Sequence, residues 1–274
     1  MSGRLVVCPT PIGNLEDVTL RVLAALRDAD VVACEDTRRT RILLDRYGVK
    51  AKLVSYHEHN ERARSAELVG RMREGAVVAL VSDAGMPLVS DPGYLLVRGC
   101  VAAGLPVEVL PGPSAAITAL VASGLPADEW RFHGFLPRKK GELRRELAEP
   151  GGTLVAFESP RRVPATLALL AEIDPAREVA VCRELTKVHE EIVRGSAAEL
   201  AARYEGSPPK GEVVLVIGSP AAVEGDAGVG EPAGLDALRR LVDAGAHPRK
   251  AASVVAELTG ASANSLYKAL TSRD

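Results

Sequence analysis

Short apolar runs alternate along this chain with stretches of helical period. Leu5 to Cys8, Val31 to Cys34, Leu53 to Ser55, Val77 to Val81 and Val107 to Leu110 are rich in Val, Leu and Ala and end in polar, Gly or Pro residues. Short apolar runs of that length read as strands of a parallel sheet, buried on both faces where, as in Val77 to Val81, the run is unbroken. Between them, Thr19 to Ala29 puts Leu20, Leu23, Ala24 and Leu26 near one face, and Tyr94 to Ala103 does the same with Leu95, Leu96 and Val97. Strands alternating with helices require crossovers that cover a parallel sheet, so an α/β domain is predicted over residues 1–113.

From Ser114 the rhythm changes. Apolar runs at Arg131 to Phe135, Thr153 to Phe157, Val179 to Cys182, Ile192 to Gly195 and Val213 to Ile217 predict strands, with helices over about Gly141 to Ala148, Val163 to Ile173 and Ala197 to Tyr204. The last two gaps are too short for helical crossovers on both, so this sheet is predicted to mix parallel and antiparallel pairs, in a second α/β domain over residues 114–219. Pro220 to Gly234, PAAVEGDAGVGEPAG, reads as a flexible linker. Beyond it, Leu235 to Ala244, Arg249 to Leu258 and Ala263 to Leu270 are spaced as three short helices over residues 235–274, with Gly245 and Gly260 in the turns. A helix-turn-helix has this spacing, and so does a helical cap that touches no nucleic acid.

The 274 residues are 47% hydrophobic, 26% charged and only 3% aromatic, which suits a globular α/β chain. A formal net charge of −2 supplies no overall field for a polyanion. Basic residues nevertheless gather locally, at Arg38, Arg39 and Arg41, at Arg138, Lys139, Lys140, Arg144 and Arg145, at Arg161 and Arg162, and at Arg249 and Lys250. Each cluster reads either as a solvated face or as a phosphate grip. Cysteines at 8, 34, 100 and 182 are scattered without a C-x-x-C pair, as expected for reduced thiols in a cytoplasmic protein. The N-terminus runs straight into a strand and no apolar stretch reaches about 18 residues, so neither export nor a membrane span is expected.

Candidate chemistry gathers where strands end. Val77 to Val81 opens into Ser82-Asp83-Ala84-Gly85-Met86-Pro87, a carboxylate beside residues small enough for a ligand to lie against the backbone. Glu35-Asp36-Thr37-Arg38 follows the second strand and Tyr56-His57-Glu58-His59-Asn60-Glu61 the third. Asp36, Thr37 and Asn60 suit helix caps as well as they suit a site. The turn Pro9-Thr10-Pro11-Ile12-Gly13-Asn14 lacks a G-x-G-x-x-G, and the chain has no G-x-x-x-x-G-K-[ST], which argues against a dinucleotide or a P-loop nucleotide. His57 and His59 have only Glu58 and Glu61 nearby, so no metal is expected. Pro111-Gly112-Pro113-Ser114 is equally a ligand-facing turn and an inter-domain hinge.

PTPIGNLEDVTLR, ACEDTR, SYHEHNE, LVSDAGMPLVSDPG, LPGPSA, GFLPRK, FESPRR and CRELTKVHEE, in this order, closely resemble the ribosomal RNA small subunit methyltransferase I family, the 16S rRNA cytidine 2′-O-methyltransferases of the tetrapyrrole methylase fold. The likeness runs from Val6 to about Ile217, and the tail resembles the helix-turn-helix extension of many members. It implies S-adenosyl-L-methionine as cofactor in a cleft between two α/β domains, a homodimer, and 16S rRNA of the small ribosomal subunit as partner. The family's cofactor contacts would fall on Pro11, Val81, Ser82, Asp83, Met86, Ser114, Ala115 and Glu158, and near Leu185. Corrin-forming relatives carry a G-x-G-x-G-D in the first loop where this chain has Thr10-Pro11-Ile12-Gly13-Asn14, which favours the RNA branch. For the proton of the ribose hydroxyl the candidates are Asp36, His57, Glu58 and Glu184. For RNA phosphates they are Arg38, Arg138, Lys139, Lys140, Arg161 and Arg162. A corrin or porphyrin methyltransferase of the same fold is the runner-up, and an RNA-binding module without enzymatic activity is the third reading.

Overall fold

A computed structural model describes residues 3–220, 230–259 and 261–271. The first sheet comprises β1 (Arg4–Val7), β2 (Val31–Cys34), β3 (Leu53–Ser55), β4 (Val77–Val81) and β5 (Val107–Val109), in the order β3-β2-β4-β1-β5 with every pair parallel. Its helices are α1 (Leu20–Asp28), α2 (Thr37–Arg46), α3 (Glu61–Arg73) and α4 (Tyr94–Ala102). Alternate residues of one strand serve opposite cores. Val6, Val32, Ala79 and Val81 pack with Val22, Leu26 and Leu43 on one face, while Leu5, Ala33, Val78 and Leu80 pack with Leu68, Met72 and Leu96 on the other. Covering both faces explains why the inner strands β2 and β4 are apolar throughout, each buried Leu or Val contributing about 1.5–3 kcal/mol.

The second sheet comprises β6 (Trp130–Phe135), β7 (Thr153–Glu158), β8 (Glu178–Arg183), β9 (Glu191–Ser196) and β10 (Val213–Ile217), in the order β6-β7-β10-β8-β9. Only β6 and β7 are parallel; the pairs β7-β10, β10-β8 and β8-β9 run antiparallel, the mixture the short connections predict. α6 (Lys140–Ala148), α7 (Val163–Ile173) and α8 (Ala197–Tyr204) cover one face, and α5 (Ala115–Ser123) packs on the other through Ala116, Ala119 and Leu120. Both sheets lie in one compact unit, residues 1–219.

The second unit, residues 220–274, contains α9 (Gly230–Asp243), α10 (Pro248–Thr259) and α11 (Ala263–Thr271) around Leu238, Ala251, Ala252, Val255 and Leu266. α9 begins at Gly230, ahead of the Leu235 that periodicity suggests, because residues 230–234 lack the apolar period that marks a helix in sequence. The rest of the expected linker, residues 221–229, lies outside the described residues. No helix among the described residues is long and apolar enough to cross a membrane.

Candidate active site

Loops leaving the carboxyl ends of β1, β2 and β4 meet at one edge of the first sheet. Thr10 and Gly85 exchange backbone N–H···O bonds of 2.9 Å, the Thr10 hydroxyl donates to the Ser82 carbonyl at 3.0 Å, and the Ser82 hydroxyl donates to the Gly85 carbonyl at 3.0 Å. Gly85 has φ +80°, and a Cβ there would already touch the Ile12 side chain at 3.4 Å, so a left-handed backbone and a close approach both favour glycine. The Asp36 N–H donates to Asp83 Oδ1 at 3.0 Å, which ties the loop after β2 to the same edge. Ile12 packs into the inner face of the second sheet with Val155, Ala180 and Val214.

These loops border a cleft of about 540 Å³, a size suited to a small-molecule ligand. The first sheet contributes Ile12, Glu35, Arg39, the stretch Asp83–Met86 and Val89–Asp91. The second contributes Phe135, the stretch Phe157–Pro160, Cys182, Leu185 and Gly211–Val214, with Ser114 and Ala115 at the start of α5. Among the described residues, the non-glycine positions with positive φ are Leu88, Ser90, Glu184 and Thr186, in the two loops that flank this cleft. Left-handed backbone at such residues is unfavourable and persists where surrounding contacts impose it, commonly at functional sites.

Three carboxylates share the first-sheet side. Burial, followed by the nearby charges of Glu35 and Asp83, pushes Asp91 up to about 6. Burial and then Asp83 also raise Glu35 above the ordinary carboxylate range. Arg39 Nε lies 3.7 Å from Asp83 Oδ2 as a partial counter-charge. On the opposite wall burial pushes the Cys182 thiol up to about 11, which removes it as a nucleophile near neutral pH.

Of the positions that the family resemblance marks for the cofactor, Asp83, Met86, Ser114, Ala115, Glu158 and Leu185 line the cleft. Pro11, Val81 and Ser82 are buried behind it and shape its loops. Glu158 is present in the wall, but its carboxylate is taken up by the Ser159 N–H at 2.7 Å, the Thr166 hydroxyl at 2.8 Å and Arg162 at 3.3 Å.

The four sequence candidates for a proton acceptor fare differently, since none is in the cleft lining. Asp36 caps α2 and is held down to about 2 by the Arg38 side chain and N–H, so it is a weak base. Glu184 accepts from Lys187 at 2.8 Å and from the Glu212 N–H at 2.9 Å, and these bonds keep it below the usual range. Asn60 accepts from the His57 N–H and donates to the Ser55 carbonyl, so its amide must donate to His57 Nε2, 3.3 Å away. A neutral His57 ring then carries its proton on the buried, unpartnered Nδ1 and has no free lone pair to offer. Glu58 is exposed. Glu61, from the same loop, accepts from Tyr56 and from the N–H groups of Gly93 and Leu95, and so anchors the start of α4. Among the described residues no group of three His, Cys, Asp or Glu is placed to hold a metal.

The basic candidates divide in the same way. Arg162 is half-buried and donates to the carbonyls of Leu136 and Pro137 as well as pairing with Glu158; it ties two loops together. Arg38 is paired with Asp36 at 2.7 Å. Arg138, Lys139, Lys140 and Arg161 are exposed, and of these Arg138 and Arg161 make no ion pair among the described residues. Sequence reasoning did not single out Asp91, Phe135 or Phe157 as site residues, named Arg39 only within a basic cluster, and treated Glu35 only as a neighbour. The signal for Asp91 was legible, because the loop after β4 repeats Ser-Asp, at 82–83 and again at 90–91.

The profile of the tetrapyrrole (corrin/porphyrin) methylases matches residues 4–201. The ribosomal RNA small subunit methyltransferase I of Mesorhizobium japonicum is 46% identical over 272 residues, 97% of this chain and 90% of that one. The chain belongs to this family. Uroporphyrin-III-C-methyltransferase from Thermus thermophilus has the same fold, with a TM-score of 0.58 and 26% identity over 80% of this chain and 94% of that one. A structure of uroporphyrin-III C-methyltransferase from the same organism complexed with S-adenosylhomocysteine superimposes with a TM-score of 0.56 at 23% identity, over 79% and 97% of the two chains. The strand order and mixed second sheet described above are therefore those of a tetrapyrrole methylase.

Proposed function

We propose that this chain transfers a methyl group from S-adenosyl-L-methionine to a cytidine ribose 2′-hydroxyl of 16S rRNA in the small ribosomal subunit. The observation that carries this reading is the 46% identity along nearly the whole of both chains to a ribosomal RNA small subunit methyltransferase I. The cleft fits the cofactor. Ala84, Gly85 and Ala115 leave room for a nucleoside against main chain, Glu35 and Asp83 offer negative charge to an ammonium or sulfonium, and no phosphate cradle is needed. S-adenosylmethionine, when bound, supplies a methyl on positively charged sulfur, which an oxygen nucleophile displaces in line.

The protein's own share of the chemistry is positioning and proton removal. Asp91 replaces Asp36, His57, Glu58 and Glu184 as the acceptor of the hydroxyl proton, because it faces the cleft and its carboxylate is poised by burial between Glu35 and Asp83. The three-helix unit, with Arg249 and Lys250 at its surface, adds an auxiliary hold on RNA. A homodimer is supported by exposed apolar side chains at Val109 on the edge strand β5 and at Ile117 and Val121, one turn apart on α5. With ribosomal RNA as substrate the enzyme works in the cytoplasm.

Methyl-labelled S-adenosylmethionine incubated with the protein and small subunits tests the assignment. Ribose methylation blocks attack of the 2′-oxygen on the adjacent phosphate, so label is expected in an alkali-resistant dinucleotide that begins with cytidine. Label on a base, or none on the RNA, would overturn it. The phosphate grip has its own readout. Arg138→Ala with Arg161→Ala is expected to weaken subunit binding and to flatten its log-log salt dependence by about 2, roughly one per lost contact, with cofactor affinity unchanged.

A further inference from the structure

We infer that Phe135 is the platform on which the base of the target nucleotide stacks while its ribose is methylated, an inference that rests on the rRNA reading above. The chain has only three phenylalanines, and two of them, Phe135 and Phe157, line this cleft. Phe157 stands edge-on to Phe132, with ring centroids 5.1 Å apart, and to Phe135, 5.5 Å apart. Phe132 is half-buried in the core of the second sheet, but Phe135 lines the cleft and stays 62% exposed. A rigid ring fixed along one edge and open elsewhere costs apolar exposure in the free protein and costs little further ordering when a flat partner arrives.

The backbone aims this ring deliberately. β6 pairs with β7 through Phe132 and then Gly134, skipping His133, a bulge of the kind that redirects side chains beside active sites. Gly134 has φ +74°, and a Cβ on it would lie 3.1 Å from the Ser90 hydroxyl. The bulge is therefore pressed against the loop that carries Asp91, and Phe135 follows one residue later. Immediately beyond β6 come Arg138, Lys139 and Lys140, all exposed. Lys139 and Lys140 pair with Glu142 and Glu172 on the surface, while Arg138 makes no ion pair among the described residues. An aromatic face next to exposed cations is how proteins hold unpaired nucleotides, the ring taking a base and the cations the flanking phosphates. The bulge thus sets the ring beside the loop that carries Asp91, with the basic turn beginning three residues further along the chain.

The test compares Phe135→Ala, Phe135→Leu and Phe135→Trp in the full-length chain, with single-turnover methyl transfer to small subunits and calorimetric titration with S-adenosylhomocysteine. Because the ring is largely exposed, all three variants are expected to fold, which circular dichroism checks. Loss of one stacked base predicts that Ala and Leu weaken subunit binding by roughly 5- to 150-fold, while Trp stays within a few-fold of wild type and cofactor affinity is unchanged in all three. Equal activity of Leu and Trp would overturn the platform, since an apolar surface alone would then suffice. Weakened S-adenosylhomocysteine binding with unchanged subunit binding would also overturn it and assign the ring to the cofactor's adenine. Failure of the wild-type protein to methylate the subunit would instead sink the underlying rRNA reading.

Discussion

Asp91→Asn is expected to lower kcat by about 10²- to 10⁴-fold, the range for loss of a general base, with little change in cofactor affinity. The same substitution should make the protein more stable near pH 7. Asp91 sits at about 6 in the folded chain, above the value of about 3.9 expected when unfolded. The folded state therefore binds protons more tightly, and stability falls as pH rises from about 4 to about 6 and stays lowered above that. Activity has the opposite slope, since the base works only when ionised, so wild-type kcat should climb through pH 6 and level off. Thermal melts and pH-rate profiles of wild type and Asp91→Asn check both halves. A variant that retains full kcat would return the proton to Glu35 or to solvent, while one that loses kcat without gaining stability would show that burial of this charge costs nothing.

Glu158→Ala is expected to destabilise the chain by about 3–5 kcal/mol, the typical result of removing one member of a buried ion pair. The Glu158 side chain is fully buried, and its loss strands Arg162 without a counter-charge and the Ser159 N–H and Thr166 hydroxyl without an acceptor. Arg162 in turn holds the Leu136 and Pro137 carbonyls, so the effect should spread to the turn that follows Phe135. Glu158→Gln keeps volume and most of the hydrogen bonds and should cost less. Urea unfolding measures both; a loss under about 1 kcal/mol for Glu158→Ala would mean that the pair adds nothing beyond solvent-exposed ion pairs. Glu158 thus belongs to the cleft wall as a structural tie.

The alternation of apolar runs and helical stretches was enough to place nearly every strand, most plainly the inner strands such as β2 and β4, which are covered on both faces and therefore apolar at every position. Short gaps likewise announced the antiparallel pairs of the second sheet, since a parallel return needs room for a crossover. That the loop from Ser82 to Met86 borders a cleft was legible for a similar local reason: its small residues and carboxylate follow directly on a buried strand. The assignment of individual charges was not legible. Asp36, Glu184 and Arg162 look as free in sequence as Asp91 and Arg138, and what separates them is the partners that the folded backbone brings up: Arg38 at the start of α2, Lys187 with the remote Glu212 N–H, and the remote carbonyls of Leu136 and Pro137. A side chain's basicity and reach depend on burial and on neighbours within a few ångströms, and the folded backbone decides which neighbours those are, whether two residues away, as for Asp36, or more than twenty, as for Arg162. His57 and Phe135 make the same point in opposite directions, one silenced by an asparagine amide and the other exposed by a bulge that no periodicity records. The chain's order of apolar and polar residues thus determined the layers and the sheet edge at which the cleft lies, and only the folded contacts decided which of the charges and rings at that edge remain unpartnered.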